Sequence, residues 1–145
     1  MILVSFALAG PAADVLKMRD AVSCDRLGAA TPALRDELIV LAELPDGLPW
    51  VSVRAAGCLV SVFAGDPAVV DRFAAWAGDS ERTGLTLVVI DGAAALAPAD
   101  AVRVGAAAMG TADTRWRARF ADRLGRSALP ELRALAGVDG SGTAQ

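Results

Sequence analysis

The sequence has no histidine, no tyrosine, a single lysine (Lys17) and only two cysteines, Cys24 and Cys58. Without histidine it lacks the usual general base at neutral pH, the usual member of a nucleophilic triad and the commonest transition-metal ligand. Catalysis by this chain would have to run on carboxylates, thiols, arginine, Lys17, hydroxyls or a bound cofactor. Two cysteines far apart, neither in a C-x-x-C pair, are too few for a ligand cluster, so neither a metal site nor a cofactor is expected. Both thiols are read as reduced, small, core-compatible side chains. No uninterrupted apolar run approaches the roughly 20 residues of a membrane-spanning helix. Basic residues are also missing before Lys17, so Met1–Gly10 does not have the start of a secretory signal, and a cytoplasmic location is expected.

What is present is a largely apolar chain: 54% of its 145 residues are apolar and 21% are charged, with a net charge of −3. That composition excludes a wholly disordered chain, and the length predicts one compact domain over 1–137 with a polar, disordered tail at 138–145. Twice an apolar run stops at glycine and resumes behind proline as a helix-like stretch. Ile2–Ala9 precedes Gly10-Pro11, and Leu59–Ala64 precedes Gly65-Asp66-Pro67. This pattern predicts two strand-to-helix units, with strand Ile2–Leu8 leading to helix Pro11–Ser23 and a later strand leading to helix Pro67–Ala77.

Between them, Thr31-Pro32 offers a cap and a first-turn proline for a helix over about 32–43, in competition with a buried strand at Leu38–Leu44. The Val- and Phe-rich segments Pro49–Ala55 and Cys58–Ala64 flank Ala56-Gly57 and read as an antiparallel hairpin. Leu85–Asp91 reads as a last strand. In element order, residues 1–91 resemble the ferredoxin-like βαββαβ fold. The expected class is therefore an α+β sandwich, extended by C-terminal helices at Pro98–Met109, Asp113–Leu124 and Leu129–Ala136.

In the hairpin register, Val51, Val53, Val60 and Val62 face the interior together. The opposite face then carries Trp50, Ser52, Arg54, Ser61 and Phe63, joined by Ser5 and Thr86 from the first and last strands. A row of hydroxyls among apolar side chains needs a cover, and a ligand or a second copy of the chain can supply it. The resemblance implies one such arrangement, the dimeric α+β barrel, some of whose families are cofactor-independent enzymes. There the hydroxyls would orient a small organic substrate and Arg54 would hold an anionic group.

The one clear charge feature is Thr114–Arg126. On a helical wheel Arg115, Arg119, Arg123 and Arg126 share a side, beside an apolar stripe of Trp116, Phe120 and Leu124. Over Asp113–Arg126 five arginines face two aspartates, a local excess of three positive charges. The acidic remainder of the chain disfavours a dedicated nucleic-acid binder, and a membrane-surface role is disfavoured further. The expectation is a non-catalytic binding or assembly domain forming homo-oligomers through its sheet face, with a protein partner or small ligand. The cofactor-independent enzyme and a nucleic-acid adaptor working through the arginine helix are the alternatives.

Overall fold

The computed structural model describes residues 10–18, 23–44 and 48–137. Among these residues every assigned element is helical. The α-helices are α1 (Pro11–Leu16), α2 (Pro32–Glu43), α3 (Pro49–Val62), α4 (Pro67–Ala77), α5 (Thr83–Gly92), α6 (Pro98–Thr111), α7 (Thr114–Gly125) and α8 (Pro130–Leu135). Short 3₁₀ turns lie at Cys24–Leu27, Ser80–Arg82 and Ala93–Ala95. The α+β ferredoxin-like expectation is overturned: the described chain is all-helical.

Two of the expected strands and the turn between them are one helix, α3, and the strand expected at Leu85–Asp91 is the body of α5. The strand expected at Ile2–Leu8 and the tail at 138–145 lie outside the described residues. Proline explains α3. A proline at the first helical position loses no hydrogen bond, because that N–H has no intrahelical partner, and its fixed φ suits the first turn. Pro11, Pro32, Pro49, Pro67, Pro98 and Pro130 all occupy helix starts. Behind Pro49 the buried positions Val51, Ala55 and Leu59 recur every four residues, a helical spacing. The four valines therefore do not share a face. Val51 and Val60 are 1% and 4% exposed, whereas Val53 and Val62 are 46% and 38% exposed, because residues two apart on a helix point to nearly opposite sides.

The chain divides into two compact units, Met1–Phe63 and Ala64–Gln145. In the first, α3 packs along α2 and Ser52 Oγ donates to the Leu41 carbonyl at 3.2 Å, while α1 contacts both helices and the Cys24–Leu27 turn. Cys24 and Cys58 form a disulfide joining that turn to α3. This corrects the expectation of two reduced thiols, which rested on their distance in sequence; the fold brings their Cα atoms to 5.5 Å.

In the second unit each helix from α4 to α8 contacts the next and the next but one. Alternate helices thus form two staggered layers, α4, α6 and α8 against α5 and α7, as in stacks of helical pairs. The core is built from Phe73 and Trp76 of α4, Val89 and Ile90 of α5, Phe120 and Leu124 of α7 and Leu132 of α8. Gly105 lets α8 approach α6 closely, since a Cβ there would stand 2.9 Å from Leu135 Cδ1 and 3.2 Å from Leu132 Cδ2.

Candidate functional site

The helix α7 starts at Asp113, whose carboxylate accepts from the Trp116 amide at 3.0 Å and satisfies one of the unpaired N–H groups of the first turn. Phe120 and Leu124, four residues apart, are buried and set the rotation of the helix. That rotation leaves Arg115, Arg119, Arg123 and Arg126 exposed, along a stripe of roughly 16 Å at the helical rise per residue.

The arginines differ in what holds them. Arg117 serves the fold, donating from Nε to the Met109 carbonyl at 3.2 Å and from Nη2 to the Ala112 carbonyl at 2.9 Å, where it satisfies the C-terminal end of α6. Arg123 pairs with Asp91 of α5 at 2.7 Å, and Arg126 with Asp122 one turn back, also at 2.7 Å. Arg119 lies over the Trp116 ring, 5.1 Å from its centroid, in cation–π range. Arg115 makes no hydrogen bond or ion pair with any described residue. At the C-terminal end of the stripe, Arg123 and Arg126 line a shallow pocket of about 230 Å³ with Ile90, Asp91, Ala94, Ser127 and Ala128. Positive charge is concentrated here: outside Asp113–Arg126, the second unit carries four arginines against eight carboxylates.

Of the other residues singled out from sequence, those that are described do not form an exposed row, since Phe63 and Thr86 are buried. Ser5 lies outside the described residues. Trp50 is exposed at the start of α3 and Phe63 is buried at its end. Ser61 Oγ lies 3.4 Å from the Cys58 carbonyl and 3.6 Å from Cys24 Sγ, so it sits beside the disulfide. Thr86 belongs to the other unit and is 1% exposed; its hydroxyl lies 3.0 Å from the Arg82 carbonyl and 3.2 Å from that of Trp76. Arg54 Nη1 donates to the Leu16 carbonyl at 3.0 Å and to that of Met18, capping the end of α1. The row of hydroxyls depended on a sheet, and these groups instead satisfy helix carbonyls. Among the described residues no group of three or more His, Cys, Asp or Glu side chains is placed to hold a metal ion.

Besides the disulfide, two features escaped sequence reasoning. Trp116 and Arg119 stack, and their i,i+3 spacing was the available signal. Glu37 of α2 accepts from the amides of Ala12 and Ala13 at 2.9 and 3.2 Å, capping the start of α1, and no local pattern announces a cap that comes from 25 residues away. Compared with known proteins, the chain matches no protein-family model, no curated protein and no solved structure.

Proposed function

We propose that the chain is a helical binding domain that takes an acidic protein segment on the arginine face of α7. The observation that carries this reading is the pair at the start of that face: Arg115 is exposed with no partner among the described residues, and Arg119 is held over Trp116. A guanidinium offers a rigid fork of donors that matches a carboxylate, and one already positioned on an aromatic ring loses less freedom on binding. Single exposed ion pairs contribute little, so the affinity comes from several arginines acting together and from steering by the local positive field.

A short acidic segment fits a stripe of this length better than a nucleic acid does, because a polyphosphate extends past the stripe onto a carboxylate-rich surface that repels it. Stacked helical pairs commonly act by presenting extended surfaces to partners, which supports the reading by analogy of architecture. Self-association through a sheet face loses its surface with the sheet and is not carried forward, and the same holds for the hydroxyl-oriented enzyme site.

No helix among the described residues is long and apolar enough to cross a membrane. The Cys24–Cys58 bond supports an oxidising compartment over the cytoplasm expected from sequence, because cytosolic thiols are ordinarily kept reduced.

The test is fluorescence anisotropy with a labelled oligoglutamate peptide, comparing the natural chain with R115A/R119A. The double variant should bind about 10-fold more weakly, and raising the salt should weaken the natural chain toward it. Equal binding by both proteins overturns the reading. Tighter binding of a single-stranded oligonucleotide of equal charge replaces the proposed partner with nucleic acid.

A further inference from the structure

We propose that the Cys24–Cys58 disulfide is an oxidation latch: its closure docks α1 and the Cys24–Leu27 turn onto the α2–α3 hairpin, and its opening releases them while the hairpin stays folded. The inference is independent of the arginine face.

The docked pieces have little of their own to hold them. α1 has six residues, too short to persist as a helix in water, and it buries only Ala12, Ala13 and Leu16. The turn buries no side chain. Their fastenings are specific bonds instead. The Glu37 carboxylate sits at the positive end of α1, the Arg54 guanidinium at its negative end, and the disulfide ties down the turn. Gly10 is fitted to this arrangement, since a Cβ there would stand 2.0 Å from Glu37 Oε1. By contrast α2 and α3 run 12 and 14 residues and bury Leu34, Leu38, Leu41, Val51, Ala55 and Leu59, giving the hairpin a core of its own.

The two sulfurs are also unequal. Cys58 is 2% exposed and Cys24 is partly exposed, so an incoming thiolate meets Cys24 Sγ. A dithiol reductant attacks there, forming a mixed disulfide, and the Cys58 thiolate leaves and takes up a proton. The second thiol of the reductant then displaces Cys24, which is protonated in turn. The protein gains two electrons and two protons, and the reductant leaves as its own disulfide. Closure is the reverse, with an oxidised disulfide compound such as glutathione disulfide as the electron acceptor.

Hydrogen–deuterium exchange of the full chain tests this. After dithiothreitol, amides of Ala12–Leu16 and Cys24–Leu27 should exchange on the order of 10²-fold faster, with α2, α3 and the second unit unchanged. Glutathione disulfide should restore protection. The C24S/C58S variant should match the reduced protein and ignore dithiothreitol. Retained protection of α1 in either reduced or variant protein overturns the latch. So does loss of protection in α2 and α3 together with α1, which would make the bond a staple of the whole unit.

Discussion

In Met1–Phe63 the helix α1 and the Cys24–Leu27 turn are fastened by individual bonds, whereas in Ala64–Gln145 the helices are held by interlocking side chains. The first unit has the disulfide and the two charged caps on α1. The second has the three largest fully buried side chains among the described residues, Trp76, Phe73 and Phe120, with the Phe73 and Trp76 ring centroids 5.6 Å apart. Among the described residues the large apolar side chains left exposed, Met18, Val40, Leu48, Trp50, Val53 and Val62, belong to the first unit. Its covalent tie falls where least is buried, at the Cys24–Leu27 turn, which buries no side chain, beside α1, which buries only Ala12, Ala13 and Leu16.

The largest expected effect that sharpens this contrast is Phe73→Ala. It should lower the stability of the second unit by about 3–5 kcal/mol and leave the melting of the first unmoved in calorimetry. A common shift of both transitions would show that the units unfold as one. Gly105→Val comes next, at about 1–3 kcal/mol in chemical denaturation, again confined to the second unit, because its Cβ meets Leu132 and Leu135. An unchanged midpoint would mean that those leucines yield freely. The smallest effect belongs to Trp50→Ser: at 41% exposure the change should stay within about 0.5 kcal/mol, with no change of mass in light scattering. Loss of a dimer on that substitution would assign α3's exposed side to self-association.

How much of this was legible in the sequence depended on punctuation. The helices behind Pro32 and Pro67 lie where cap, proline and periodicity agree, the one behind Pro98 where proline and periodicity agree, and the one capped by Asp113 where cap and periodicity agree. At 49–62 and 85–91 β-branched runs outweighed those cues, although Pro49 carries the same start signal as the other helix-opening prolines. Short apolar runs have no period of their own that separates a strand from a buried helix, and packing decides. The α7 arginine face was readable because its helix was. The hydroxyl row was not, because it inherited the register of strands that the described chain does not form. Pairings between distant residues, Cys24 with Cys58 and Glu37 with α1, exist only once the helices have packed.

The prolines have one more consequence. A helix that opens on proline cannot creep upstream, since the ring disfavours helical geometry in the residue before it. Every such helix is thereby locked in rotational phase. A residue inserted ahead of Pro67 or Pro98 should lengthen a corner without turning a single core side chain out of place.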